Sequence, residues 1–245
     1  MFGFHKKDLI KMITFVTVVF SPHIYADFGL IQDKDGEVNI RDYASLKANV
    51  VGKLKNNQLV DCLSDNEDAN FCLISTANHD DGYVYKNRIN FFKAYHRLKL
   101  TAYEANQVTF SNAEMTVQIN AMPRESNDRL FKADANGYYR YYKNKTFLGT
   151  DGEIPNKNFS QLQRIDISYR SQKTTLAVNQ MGQYFFQAQF SDLTKSDLAD
   201  FEIYYLNDDI YLVNHFNYSG AAAYNLMFHL RKGQLVEHQA WKISL

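Results

Sequence analysis

The sequence contains few of the residues that interrupt or cross-link a chain. Its 245 residues include only 3 Pro, 11 Gly, 2 Cys and 1 Trp, against 17 Tyr and 18 Phe. This much aromatic bulk excludes an intrinsically disordered chain, because disordered chains lack the aromatic residues that build a core. We therefore expect a folded protein with substantial hydrophobic cores.

Long apolar runs are also scarce. The chain has one, residues 12–20, which follows three Lys and precedes the small residue Ala26. It is about half as long as the roughly 20 residues that a helix needs to cross a bilayer. The arrangement is typical of a secretory signal peptide. We expect cleavage after Ala26, no membrane anchor afterwards, and a periplasmic or secreted mature chain.

Neither sign of charge dominates the chain. Removal of residues 1–26 takes away three Lys and one Asp, which leaves 24 Lys and Arg against 26 Asp and Glu. A protein that binds nucleic acid needs a basic face that neutralises phosphates. We therefore expect no nucleic-acid partner.

The familiar catalytic motifs are missing. No Cys follows Cys72, as a Cys-His peptidase in the second half would need, and no Gly-x-Ser-x-Gly elbow occurs. Asp208 and Asp209 are typical of a turn, although distant carboxylates can still meet in a fold. We expect a protein that is not an enzyme, needs no cofactor and works by binding.

The two cysteines, Cys62 and Cys72, lie in apolar runs on either side of the polar segment 65–70. A hairpin would bring them together, and an even number of Cys in a secreted chain usually means pairing. We predict a disulfide; two free buried thiols are the alternative. A metal site is not expected, because no other Cys completes a ligand set.

The first half alternates short apolar runs with turns, at spacings typical of a small barrel. Val38 and Ile40 point to one side of a strand and Arg41 to the other. A set of separated segments resembles the bacterial SH3 domain family: Asp35-Gly36, Val38-Asn39-Ile40-Arg41, Val51-Gly52, Leu54, Gly82-Tyr83-Val84 and Ile89. The resemblance covers residues 27–92.

The resemblance implies binding of cell-wall peptides or other extended chains, and no catalysis. Four aromatic residues are candidates for the walls of the ligand groove: Tyr43, Phe71, Tyr83 and Tyr85. Flat aromatic side chains recognise extended peptides at little entropic cost. Alternation places Tyr83 and Tyr85 opposite Val84, so the tyrosines face outward if Val84 is in the core. Packing of these aromatic residues against a second domain is the alternative.

The second half, residues 105–245, shows period-two patterns rich in β-branched and aromatic residues. Turn residues at Asp151-Gly152, Met181-Gly182, Asn207-Asp208-Asp209 and Lys232-Gly233 indicate consecutive hairpins. We predict an all-β protein, in which a small SH3-like barrel is followed by an antiparallel β-meander sheet domain of unknown family. One helix is predicted within residues 191–201.

Three histidines form a possible polar set in this half. If the chain turns near residues 219–223, His215 lies opposite His229, with His238 on the next strand. Converging imidazoles would suit zinc. We favour ordinary half-buried histidines, because a metal site needs exact ligand geometry.

The tyrosine-rich run GYYRYYKN at residues 137–144 also has two interpretations. Alternation gives Tyr138 and Tyr142 one face and Tyr139 and Tyr141 the other. Either pair would suit a sugar or a peptide, whereas half-covering the core is the more general use of Tyr in strands.

Two functions fit these features. The first is a non-catalytic binding protein whose SH3-like domain binds cell-wall peptide or a protein partner. The second is a periplasmic immunity or inhibitor protein that neutralises a toxin or a cell-wall enzyme through a few aromatic hot spots.

Overall fold

The computed structural model describes residues 27–63, 70–104, 106–187, 197–217 and 220–242. The predicted signal peptide, residues 1–26, lies outside the described residues. Strands dominate this part of the chain, which confirms the predicted all-β class. None of its helices is long and apolar enough to cross a membrane.

The first sheet contains seven short strands. They are β1 (Asp27–Ile31), β2 (Glu37–Arg41), β3 (Val50–Lys55), β4 (Leu59–Leu63), β5 (Phe71–Ser75), β6 (Gly82–Tyr85) and β7 (Ile89–Asn90). The order across the sheet is β3-β2-β6-β5-β4-β1-β7, and all pairs are antiparallel. A 3₁₀ turn, Lys86–Arg88, precedes β7.

A closed barrel does not form in this sheet as described. β3 and β7 are its two outer strands and do not pair with each other. β7 has only two residues, which is too short to offer β3 a continuous ladder of hydrogen bonds. The expectation of a closed SH3-like barrel is therefore corrected to an open sheet.

One face of the first sheet forms its own core. Val38, Ile40, Leu54 and Val84 are buried there, as their alternation with polar neighbours predicts. β2 shows this most clearly, since Val38 and Ile40 are buried while Asn39 between them is exposed. The hydrophobic contribution of these side chains holds the short strands together.

The rest of the chain forms two further sheets. Its strands are β8 (His96–Arg97), β9 (Lys99–Glu104), β10 (Gln107–Ser111), β11 (Met115–Pro123), β12 (Phe131–Ala133), β13 (Tyr139–Tyr142), β14 (Lys145–Leu148), β15 (Phe159–Tyr169), β16 (Gln172–Ala177), β17 (Gln183–Gln187), β18 (Glu202–Leu206), β19 (Asp209–Phe216), β20 (Tyr224–Arg231) and β21 (Gln234–Lys242). The nine-stranded sheet has the order β12-β13-β14-β17-β15-β11-β10-β9, with β16 beside β15. The five-stranded sheet has the order β21-β20-β19-β18-β8.

These two sheets share the largest core. It includes Val117 and Ile165 from the nine-stranded sheet and Leu212 and Leu226 from the five-stranded sheet, all fully buried. β8, at residues 96–97, already belongs to the five-stranded sheet, whereas every strand up to Asn90 belongs to the first sheet. The division into domains at residues 27–92 and 105–245 remains a prediction.

The predicted succession of hairpins is partly wrong. The turns at Asn207-Asp208 and Lys232-Gly233 do join paired antiparallel strands. Gly152 instead lies between β14 and β15, which do not pair, and β14 runs parallel to β17. Met181 ends a short helix, α1 (Val178–Met181).

Of the helix predicted within residues 191–201, residues 191–196 lie outside the described residues. The following segment Asp197–Asp200 is a 3₁₀ turn, and Leu198 and Phe201 are buried in the largest core. A second 3₁₀ turn, Asp128–Leu130, precedes β12.

The first sheet packs directly on the five-stranded sheet, through a contact that we call the seam. The seam consists of Phe28, Leu30, Leu59, Phe92, Tyr211, Val213, Met227 and Trp241. The Phe28 ring contacts Trp241 edge-on, with centroids 6.4 Å apart. Because β1 and β4 turn one face to their own core and the other to the seam, both of their faces are covered.

Candidate functional site

The predicted disulfide between Cys62 and Cys72 is confirmed. It joins β4 to β5, with the two Cα atoms 5.6 Å apart, and both residues are buried in the core of the first sheet. Cys62 lies opposite Ile74 in the ladder and Cys72 opposite Val84. The bond therefore ties the centre of the sheet from its inner side.

Strand register places a row of side chains on the outer face of the same sheet. Residues opposite each other in an antiparallel pair point to the same face. Arg41 lies opposite both Val50 and Tyr83, and Leu73 lies opposite Tyr83 and Leu63. The row thus crosses five neighbouring strands.

The next row adds two more of the candidate residues. Tyr85 lies opposite Phe71, and each is two residues from a member of the first row, so both point outward as well. We call this surface the tyrosine face: Arg41, Leu63, Phe71, Leu73, Tyr83 and Tyr85. It adjoins the part of the outer surface that the seam covers.

The aromatic side chains of the tyrosine face differ in exposure. Tyr83 and Tyr85 are half-buried, and Val84 between them is fully buried, as predicted. Phe71 is only 4% exposed. Its ring meets Tyr85 edge-on at 5.1 Å between centroids. Phe71 therefore supports the ring of Tyr85 and offers little surface of its own to a ligand.

Tyr43 lies on the loop between β2 and β3, two residues beyond Arg41. Arg41 Nη1 donates to the carbonyl oxygen of Ala48 at 2.7 Å, and Asn49 Nδ2 donates to Asp42 Oδ2 at 2.9 Å. These bonds close the loop at its base. Tyr43 is 53% exposed, so the loop displays this side chain to solvent.

Three apolar residues beside Tyr43 were not among the predicted site residues. Leu46 is 67% exposed, and Val50 and Val51 are also exposed. A β-bulge lies between Ile40 and Arg41, where the ladder passes from Gly52 to Val50 and leaves Val51 without a partner in it. Bulges re-aim side chains, which explains why the pattern Val51-Gly52 did not reveal this exposure.

The covered part of the outer face carries a polar chain at the seam. His215 Nδ1 donates to Asn225 Oδ1 at 2.6 Å, and Asn225 Nδ2 donates to Asp61 Oδ2 at 2.8 Å. Phe28 stacks on the His215 ring at 4.1 Å. Asp61 is fully buried, and burial raises the pKa of its carboxyl above the usual value.

The three histidines do not converge. His215 pairs with Asn225 and His229 pairs with Tyr211, so the predicted pairing of His215 with His229 is wrong. His238 pairs with Phe228, which belongs to the largest core on the other side of the sheet.

Each remaining histidine has a local partner. His229 Nε2 lies 2.7 Å from Asp209 Oδ1, and its ring stacks on Tyr211. His238 Nε2 lies 2.6 Å from the Tyr184 hydroxyl, and burial lowers the pKa of His238 to about 4. Within the described ranges, no group of three His, Cys, Asp or Glu side chains has an arrangement that would hold a metal ion.

Comparison with protein-family models gave no match for the chain, and comparison with curated proteins gave none either.

Proposed function

We propose that the protein is a secreted or periplasmic binding protein without catalytic activity, and that its tyrosine face binds an extended peptide of the cell wall. The observation that carries this proposal is the pair of half-exposed rings, Tyr83 and Tyr85, fixed on one strand beside the displayed Tyr43. The resemblance of residues 27–92 to bacterial SH3 domains supports the same ligand class.

The arrangement suits an extended chain for a physical reason. Tyr83 and Tyr85 are two residues apart on a strand, so their side chains are spaced by about 6.6 Å along it. Side chains on one face of an extended peptide repeat at the same distance. Tyrosine also offers a flat apolar ring and a hydroxyl with few rotatable bonds to immobilise.

The test is co-sedimentation of residues 27–245 with purified peptidoglycan sacculi. We expect the protein to pellet and Tyr83→Ala to reduce the pelleted fraction at least fivefold, because aromatic residues at such sites carry much of the binding energy. Tyr141→Ala is the matched control, since Tyr141 is an exposed strand tyrosine outside the first sheet. Pelleting that Tyr83→Ala leaves unchanged would contradict the proposed site.

A second candidate is an immunity or inhibitor protein. The exposed apolar side chains Leu46, Val50 and Val51, in the segment that follows Tyr43, favour it, because exposed apolar side chains grouped on one surface mark protein interfaces. In this case Leu46→Asp abolishes binding to one periplasmic enzyme, and sacculi pellet neither the parent protein nor Tyr141→Ala. Sacculus binding by the parent protein therefore supports the first candidate, and its absence supports the second.

A further inference from the structure

A small cavity lies in the second half of the molecule, away from the tyrosine face. Its volume is about 220 Å³. Six polar residues line it: Glu125, Tyr142, Lys143, Gln161, Gln163 and Gln183. Met122, Pro123 and Val178 supply its apolar wall. The cavity is smaller than the 300–1,000 Å³ of pockets for drug-sized ligands, so it suits a ligand of one ring.

Three glutamines form a directed chain along one wall. Gln163 Nε2 donates to Gln161 Oε1 at 3.0 Å, and Gln161 Nε2 donates to Gln183 Oε1. Gln161 and Gln183 are buried. Gln183 Nε2 and Gln163 Oε1 have no hydrogen-bond partner among the described residues. One end of the chain is thus a donor and the other an acceptor.

These two ends complement a secondary amide, whose carbonyl accepts and whose N–H donates. Neither end is a fully buried atom without a partner, so both are accessible to water or to a ligand in the cavity. A ligand amide that spans Gln163 and Gln183 would satisfy both ends at once. The apolar wall of Met122 and Val178 would then face the apolar substituent of that amide.

The opposite side of the cavity holds a neutralised ion pair. Glu125 Oε2 accepts from the Tyr142 hydroxyl at 2.6 Å and from Lys143 Nζ at 2.6 Å. Both charged side chains are about half exposed, at the mouth. These hydrogen bonds hold the pKa of Glu125 below its usual value and the pKa of Lys143 above it. The lining is therefore neutral overall, which disfavours an ionic ligand.

Hydroxyl groups suit this mouth, because each can donate to a carboxylate and accept from an ammonium group. The floor is held in place by aromatic packing: the Tyr142 ring meets Phe185 edge-on at 5.2 Å, in a cluster with Phe131, Phe147 and Phe159. Tyr142 and Lys143 belong to the tyrosine-rich run for which a sugar contact was one interpretation.

We infer that this cavity binds a single neutral sugar ring that carries an acetamido group. The acetamido group spans Gln163 and Gln183 with its methyl on Met122 and Val178. The ring hydroxyls face Glu125 and Lys143. The site is independent of the tyrosine face, and either proposal can fail without the other.

The test is a titration of ¹⁵N-labelled protein, residues 27–245, with methyl N-acetylglucosaminide, followed by NMR of the glutamine side-chain amides. We expect saturable shifts of the Gln163 and Gln183 signals with a dissociation constant on the order of 1 mM, as befits a ligand of this size. Methyl glucoside, which lacks the acetamido group, should bind about tenfold more weakly, because it offers no amide to hydrogen-bond with the two glutamine ends.

Two variants locate the site. Gln183→Leu should abolish the shift of the remaining Gln163 signal. Because Gln183 is buried and its replacement risks misfolding, Gln163→Ala at the half-buried end of the chain is the second test, and the Gln183 signal should then report about tenfold weaker binding. Lys145→Ala, an exposed neighbour on the same hairpin that does not line the cavity, should leave binding unchanged.

Three outcomes would overturn the inference. The first is the absence of saturable shifts up to about 50 mM sugar, far above the expected dissociation constant. The second is equal binding of methyl glucoside, which would remove the role of the acetamido group. The third is equal binding of N-acetylalanine N-methylamide, which would assign the cavity to a peptide.

Discussion

The outer surface of the first sheet has two halves that use similar side chains differently. At the seam, Phe28 of the first sheet is almost fully buried against Trp241 of the five-stranded sheet. On the tyrosine face, Tyr83 and Tyr85 point to the same side of the first sheet from β6 but stay half exposed. What distinguishes the halves is the presence of a partner surface, and not their aromatic content.

The hydrogen bonds of polar groups also differ between the two halves. At the seam, Trp241 Nε1 donates to Ser75 Oγ at 3.1 Å, and Asn225 bridges His215 and Asp61. A buried surface satisfies most of its polar groups within the protein, although Asp61 Oδ1 has no hydrogen-bond partner in the described part of the chain. The phenolic groups of Tyr83 and Tyr85 are partly accessible, so water or a ligand can satisfy them. The tyrosine face, whose aromatic side chains stay partly exposed to solvent, is therefore suited to binding.

The strongest test of this difference is the cost of removing one ring from each half. Phe28→Ala should lower the free energy of unfolding by about 3–5 kcal/mol, because it opens a cavity at the seam. Tyr83→Ala should lower it by about 1 kcal/mol, because the side chain is already half solvated. Urea denaturation of both variants, followed by circular dichroism, measures the two values. Equal losses would mean that the tyrosine face is as much a structural contact as the seam.

Much of the fold follows from local pattern. Period-two alternation correctly placed Val38, Ile40 and Val84 inside and the flanking tyrosines outside. The parallel pair β14 and β17 was not predictable in this way, because residues 145–148 and 183–187 meet only through the tertiary fold. Closure of the first sheet also depends on the length of β7, and the apolar pattern of the sequence does not determine that length.

The site was predictable in part, for similar reasons. Tyr83 and Tyr85 could be placed by alternation, but the burial of Phe71 depends on its contact with Tyr85 across the ladder. Val51 was displaced by a bulge that leaves no mark in the apolar pattern. The turn between β19 and β20 is centred on Gly220. A pairing of His215 with His229 would require this turn to be centred two residues later. A register error of this kind redistributes every cross-strand pair.

A second prediction concerns the disulfide, which joins the two halves on the inner side of the first sheet. β4 turns most of its outer face to the seam, and β5 carries Phe71 and Leu73 of the tyrosine face. Replacing both Cys62 and Cys72 with Ala should lower the free energy of unfolding by about 2–3 kcal/mol, the loop-closure contribution expected for a separation of 10 residues.

Hydrogen exchange would show which half depends on the bond. Because the seam covers β4 and nothing described covers the outer face of β6, amide protection should fall more in β6 than in β4. The parent protein treated with a reductant serves as the control and should match the double variant. An equal loss of protection in both strands would mean that the halves unfold as one unit.

The smallest predicted effect is a pH dependence of stability that arises at the seam and not at the tyrosine face. Asp61 is buried at the seam, and its pKa is raised mainly by burial, with His215 acting in the opposite direction and Asp27 adding to the rise. A carboxyl whose pKa is higher in the fold than in the unfolded chain favours folding in its neutral form. Its contribution is therefore greatest below the unfolded pKa of about 3.9, and it is lost as pH rises through the folded pKa.

Asp61→Asn keeps an acceptor for Asn225 but cannot ionise. The variant should lose stability less steeply than the parent as pH rises from about 4, with a difference on the order of 1 kcal/mol, comparable with one hydrogen bond. Urea denaturation across this pH range measures both slopes. Asp197, whose pKa burial raises to about 7, is present in both proteins and cancels in the difference. A variant with the same slope as the parent would show that the pKa of Asp61 is not raised in the fold, so that the buried carboxyl ionises as it does in the unfolded chain. The seam would then tolerate a buried charge, and polar satisfaction would no longer distinguish it from the tyrosine face.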